Sequence, residues 1–536
     1  MRMNAETLGK KREWAKADVA LPQYDVAAMA QKTKAAPIWA HFGAGNIFRG
    51  YVASLQQRLL NEGLAQKGIV AVETFDYDIV DRIFAPFDCL AMHVILNPDG
   101  SADCEIIASV AEALKADADD AAQMERLTRV FADPGLQMAS FTITEKGYAL
   151  RGADGELLPQ AEADMKNQPS RAHHAMGVAA ALLLARYRAG KHPLAMVSMD
   201  NCSRNGERLR AALLEIAGAW AAQGFADAGF AAYLADEGAV SFPWSMIDKI
   251  TPHPSEAVER LLAAEGIDGM KPIVTAKGTA TAPFVNAERP QYLVIEDRFP
   301  NGRPPLEEAG VYFTDRDTVN KVERMKVTTC LNPLHTAMSV YGCLLGYTRI
   351  CKEMEDPDIV ALIRRLAYDE GLPVVTDPGI VSPRAFLDAV IEQRLPNPFM
   401  PDTPQRIAAD TSQKVGIRFG ETIKRYAEEG RAGALVAVPL AIAGWLRYLL
   451  AVDDQGNPLE VSPDPMKDEL QAKLAGIAWN DPASYAGQLR PILANPALFG
   501  SDLTQTVLAG TIESLFVEQL AGAGSVRATL RKHLAQ

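Results

Sequence analysis

The chain has 536 residues, with 54 Lys and Arg against 67 Asp and Glu, so its formal charge is −13. At roughly 100–200 residues per domain this length holds two to four domains, and 48% apolar with 23% charged residues is the mix of a water-soluble globular protein. The negative balance excludes a general nucleic-acid partner, and no apolar run approaches the ~18 residues that would span a membrane.

Taken in chain order, the first 35 residues are polar and read as an N-terminal extension, with no apolar core of a secretory signal. A short apolar strand at 37–42 meets Gly43-Ala44-Gly45. Beyond it Ile47, Tyr51, Val52, Leu55, Leu59 and Leu60 recur at helical spacing, and Gly63 is placed to stop the helix. A second strand follows at 69–72. Further apolar runs at 138–142 and 193–199 alternate with helical patterns such as 176–187. Strands alternating with helices predict a parallel sheet covered on both faces, a Rossmann-type α/β domain over residues 1–316. A Pro-rich link at 298–305 precedes a change of character. From 317 to 536 long amphipathic stretches dominate, among them 333–353 and 403–427, and predict a mainly α-helical second domain.

Strand, Gly-x-Gly, helix, strand presents a pyrophosphate to a helix N-terminus. Gly43 permits the tight turn and Gly45 lets the backbone approach phosphate without a Cβ. The third glycine of the usual fingerprint is replaced by Phe48. Glu73 ends the second strand, where a carboxylate can accept from ribose hydroxyls and repel a 2′-phosphate, favouring NAD; Asp76 or Asp78 is placed to do the same.

A second cluster reads Val322-Glu323-Arg324-Met325-Lys326-Val327-Thr328-Thr329-Cys330-Leu331-Asn332-Pro333-Leu334-His335. Asn followed by Pro predicts an N-cap at Asn332 and a helix opening there, with His335 on its first turn and Lys326 before it in extended chain or a turn. A lysine base, with an amide and an imidazole to polarise a carbonyl oxygen, suits the chemistry of a carbinol. His173-His174 has no ligand-spaced partner and no Cys/His set marks a metal site, so a metal-free mechanism is expected. The six cysteines form no C-x-x-C and read as reduced thiols of a cytoplasmic protein.

These motifs together are recognisable. Gly43-Ala44-Gly45-Asn46-Ile47-Phe48-Arg49 resembles the G-x-G-x-F-x-R nucleotide loop of the polyol-specific long-chain dehydrogenase (mannitol dehydrogenase) family. Phe141-Thr142-Ile143-Thr144-Glu145-Lys146-Gly147-Tyr148, Ser198-Met199-Asp200-Asn201, 242–250 and Val294-Ile295-Glu296-Asp297 resemble further family motifs in the same order, from about residue 37 to about 465. The resemblance implies an oxidoreductase that binds NAD through Gly43, Gly45, Asn46, Ile47, Phe48, Arg49, Glu73, Thr144 and Asn201. It implies Lys326 as catalytic base, Asn332 and His335 as oxygen holders, and Glu323 as proton relay. Substrate binding falls on Asn201, Asp248, Arg406 and Lys414, the last two in an R-x7-K segment that reads as one helix. The family places four residues between its lysine and asparagine, and this chain has five. The extra residue is expected in irregular backbone, since inside a helix it would turn Lys326 by about 100°.

The substrate implied is a sugar acid or polyol. Residues 443–448 and 453–458 resemble fructuronate reductases, which points to fructuronate/mannonate interconversion, whereas Asn46 in the loop is closer to tagaturonate reductases. Mannitol oxidation, or a non-catalytic NAD-binding sensor, are the alternatives.

Overall fold

Six short strands, most of them buried on both faces, lie side by side in the first half of the chain. They are β1 (Trp39–Phe42), β2 (Ile69–Glu73), β3 (Val110–Lys115), β4 (Met138–Phe141), β5 (Leu194–Ser198) and β6 (Val240–Ser241). In this computed structural model, which describes residues 1–534, their order is β3-β2-β1-β4-β5-β6 with every pair parallel. Alternate side chains of one strand enter opposite cores. Ala40, Phe42, Val70 and Val72 join one cluster, which α2 (Ala121–Ala132), α3 (Ala175–Gly190) and α4 (Asn205–Ala222) cover. Trp39, Ile69 and Ala71 join the other with Leu55 and Leu59 of α1 (Ala53–Asn61). The expected Rossmann-type sheet is therefore present, and strand order reverses between β1 and β4, where such sheets open a crevice at their carboxyl ends.

The N-terminal extension is packed: Trp14 is fully buried, and Val19–Ala20 joins a separate sheet with Ala102–Ile107, Ala91–Leu96 and Phe284–Glu288. A further sheet pairs Ser245–Asp248 with Tyr292–Glu296, and that strand with Tyr312–Thr314.

The chain divides into two units, Met1–Asn97 with Ser101–Val319, and Pro98–Gly100 with Asn320–Gln536. The division falls within α5 (Arg316–Met325). The second unit is helical. Two of its helices, α6 (Asn332–Leu344) and α8 (Ala437–Tyr448), are almost wholly buried and pack together. Gly444 makes this approach possible, because a Cβ there would lie 2.7 Å from the Tyr341 ring, and the Tyr341 hydroxyl donates to the Leu440 carbonyl at 2.8 Å.

The single helix expected over 403–427 is broken. It becomes Pro404–Ile407, a 3-10 turn at Thr411–Gln413, and α7 (Val415–Glu428). Asp410 adopts φ +53°, a left-handed conformation that Asp tolerates better than most residues, and its N–H donates to the Pro463 carbonyl.

Candidate active site

The nucleotide loop sits at the reversal of the sheet. Gly43 follows β1 with φ +93°, and a Cβ there would lie 2.2 Å from the Thr142 carbonyl oxygen at the end of β4. Only glycine fits this crossing. A Cβ on Gly45 would meet nothing within 4 Å, so the backbone faces open space there. The helix after it starts at Asn46 and passes through a π-helical turn, Phe48–Val52, before α1. Open backbone at a glycine beside a helix N-terminus fits a pyrophosphate, so the loop is suited to a dinucleotide.

The side chains around the loop are mostly committed to holding it. Phe48 is fully buried and stacks on His41 with centroids 4.3 Å apart, which explains its place at the third-glycine position. His41 bridges the Ser140 hydroxyl (2.6 Å) and the Thr142 hydroxyl (2.8 Å), and burial pushes its pKa down to about 3, so it is neutral. Arg49 is held within the fold. Its buried guanidinium donates to the Ala282 carbonyl, the Thr281 hydroxyl and Asn46 Oδ1, and burial lowers its pKa to about 9. Ile47 is half-buried on the first turn.

Glu73, expected to serve the ribose, is engaged by backbone N–H groups. One carboxylate oxygen accepts from the Ala44 N–H (2.9 Å), and the other from the N–H groups of Thr74 (3.0 Å), Phe75 (2.9 Å) and Asp76 (3.2 Å). The group is buried, and burial raises its pKa against these four bonds. Asp76 is also buried and accepts from the Thr275 hydroxyl at 2.6 Å, while Asp78 accepts from the Ala276 N–H.

Thr144 has φ +64°, a strained setting for a β-branched residue. Asp200 imposes it by accepting from the N–H groups of Ile143 (2.9 Å) and Thr144 (3.0 Å) and from the Tyr148 hydroxyl (2.6 Å). Asn201 follows Asp200 and is exposed, and Asp248 is buried at the end of its strand. A cavity of about 870 Å³ opens beside Thr144; its walls carry the Arg208–Glu145 and Arg151–Glu215 pairs and, in addition, Lys146.

In the second unit Lys326 is not in extended chain. It opens a π-helical turn, Lys326–Cys330, that continues α5 directly, closed by the Leu331 N–H to the Lys326 carbonyl at 3.1 Å. A bond from residue i+5 to i encloses one residue more than an α-helical bond, so the extra residue between Lys326 and Asn332 is accommodated inside a widened turn. The chain then bends at Leu331, which, rather than Asn332, is the capping position of α6. Asn332 is the first helical residue and Pro333 the second, so the Asn332 amide is not spent as a cap. His335 is half-buried one turn in, Lys326 is only 4% exposed, and Glu323 is half-buried on α5.

Arg406 is largely exposed (70% for its side chain) and pairs with Asp402. Lys414 donates to the carbonyls of Ile407 and Ala409. Burial, and next the nearby charge of Arg418, lower its pKa. Sequence reasoning missed Arg418, on α7, whose Nη1 donates to the Thr336 hydroxyl on α6. It also missed that the fold gathers Asp117, Asp119 and His173 with donor atoms within 4.8 Å of one another, a cluster that involves no residue of the nucleotide loop.

A doubly wound sheet with a Gly-x-Gly loop at its reversal, followed by a helical unit carrying a buried lysine, defines a dinucleotide-dependent dehydrogenase architecture. Comparison with known proteins makes it specific: residues 38–308 match the mannitol dehydrogenase Rossmann domain and 318–516 the mannitol dehydrogenase C-terminal domain, and the chain belongs to the mannitol dehydrogenase family. It is 49% identical over 536 residues to a D-mannonate oxidoreductase of Thermotoga maritima, covering 99% of each chain. A substrate-free D-sorbitol dehydrogenase structure matches with TM-score 0.79 and 26% identity over 99% of this chain and 100% of that one. The Pseudomonas fluorescens mannitol 2-dehydrogenase, solved with NAD and D-mannitol, matches with TM-score 0.68 and 28% identity over both full chains.

Proposed function

We propose that the chain is an NAD-dependent oxidoreductase that interconverts a keto-hexuronate and its aldonate, fructuronate and mannonate. The observation that carries this is its 49% identity, end to end, with a protein named D-mannonate oxidoreductase. The open backbone at Gly45 supports the cofactor, which supplies a hydride when bound as NADH. Lys326 gives a proton to the substrate carbonyl oxygen during reduction and takes it back during oxidation. The Asn332 amide and the His335 ring hold that oxygen as charge develops on it, which electrostatically favours the transition state over the ground state. Glu323, one turn before Lys326 on the same helix, passes the proton onward. Gly43, Glu73, Phe48, Arg49 and Asp200 keep the loops at the ends of β1 and β4 in shape, while Asn46, Ile47, Thr144 and Asn201 line the cofactor position. Asp248 and Lys414 serve the substrate.

Steady-state NADH oxidation with fructuronate, tagaturonate and fructose tests the reading. Fructuronate should give the highest kcat/KM. The neighbour solved with D-mannitol favours a second reading, polyol oxidation, and a clear preference for fructose would replace the first with it.

A further inference from the structure

Arg418 lies near the start of α7, four positions after Lys414, and its guanidinium reaches Thr336, the residue after His335. The Thr336 hydroxyl itself donates to the Asn332 carbonyl at 3.1 Å. Asn332 and Thr336 are one turn apart on α6, so the guanidinium lies along the face that begins with the proposed oxygen-holding amide. Burial lowers the pKa of Arg418 to about 10, and among the described residues no carboxylate forms an ion pair with it. The acid nearest it on its own helix, Glu421, is taken by Arg324 and Arg425. Asp410 and Asp464 act favourably on the charge of Lys414, but Asp464 is occupied by the N–H and hydroxyl of Ser412 and the N–H of Met466, and Asp410 is exposed, so burial and Arg418 still leave the Lys414 pKa lowered.

The fold thus holds two cations one turn apart, at a helix start with no acid in its first turn. Like charges at this spacing repel each other, and both oppose the helix dipole. An anion docking between them reverses both penalties. Arg418 has the planar fork that grips a carboxylate with two parallel hydrogen bonds, whereas exposed Arg406 is already paired with Asp402.

We propose that Arg418, with Lys414 beside it, recognises the carboxylate of an acid sugar and sets the preference for keto-hexuronates over neutral ketoses. This rests on the substrate reading above. Full-length Arg418→Ala, Arg418→Lys and Arg431→Ala are assayed with NADH against fructuronate and fructose, with thermal unfolding as a check on folding. Arg418→Ala should raise KM for fructuronate on the order of 30-fold or more, while KM for fructose changes several-fold less. Arg418→Lys keeps the charge without the fork and should fall between. Arg431→Ala, at an exposed pair with Glu429, should shift either KM by less than about threefold, as expected of a surface pair. If Arg418→Ala does not fold, Thr336→Val removes the guanidinium's anchor and should show the same split in weaker form. Equal KM changes on both sugars, or none on fructuronate, would overturn the proposal while a wild-type preference for fructuronate left the substrate reading standing. A wild type that prefers fructose would overturn both.

Discussion

Replacing Glu73 by Gln separates two roles for the acid at the end of β2. In the structure its carboxylate serves four backbone N–H groups and reaches the nucleotide loop through Ala44. Gln has one acceptor oxygen. If that oxygen keeps the three bonds to residues 74–76, its amide N–H₂ faces the Ala44 N–H, donor against donor. A stranded buried N–H costs about 1–3 kcal/mol, and relief of the buried charge returns part of it, since burial already raises the Glu73 pKa. A net loss of about 1–2 kcal/mol in loop order corresponds to NADH binding roughly 5- to 30-fold weaker. The assay is a fluorescence titration of NADH and NADPH in parallel. An acid that pins the loop weakens both cofactors in step, leaving their ratio within about threefold. An acid that reads the ribose relieves repulsion of the 2′-phosphate and shifts the ratio tenfold or more towards NADPH. A shifted ratio with unchanged NADH affinity would refute the pinning role.

Gly43→Ala should lose most NADH binding: a left-handed φ costs an L-residue about 1–2 kcal/mol, and the new Cβ must also displace the Thr142 carbonyl. Near-normal titration of NADH would show that the β1 and β4 loops do not cross as described. Glu353 is fully buried with neither carboxyl oxygen hydrogen-bonded, and burial, then Asp356, push its pKa well above the ordinary range. A carboxyl raised in this way favours folding below its unfolded pKa and loses that contribution as pH rises through the folded value. Glu353→Met should therefore raise the unfolding temperature more at pH 8 than at pH 5, and a pH-independent change would count against a neutral buried acid.

The sheet and its loop were legible because buried parallel strands read as unbroken apolar runs and because Gly43 sits where no side chain fits. The helical character of the second half was legible from its amphipathic spacing. The π turn at Lys326 was not: an inserted residue leaves the same composition whether it loops out or widens a turn. The break at Asp410 left a signal in Asp-Thr-Ser, residue types that cap and turn, but amphipathic spacing on both sides overrode it. Arg418 carried no sequence signal, because its partner Thr336 lies 82 positions away in the chain. His173 met Asp117 and Asp119 for the same reason, through the fold rather than through spacing.

The most direct test of the account is the kcat of Lys326→Ala for NADH-dependent fructuronate reduction. Loss of a general acid/base predicts a fall on the order of 10²–10⁴-fold with NADH affinity unchanged. Near-normal turnover would show that the widened turn has carried Lys326 out of the chemistry and that another group supplies the proton.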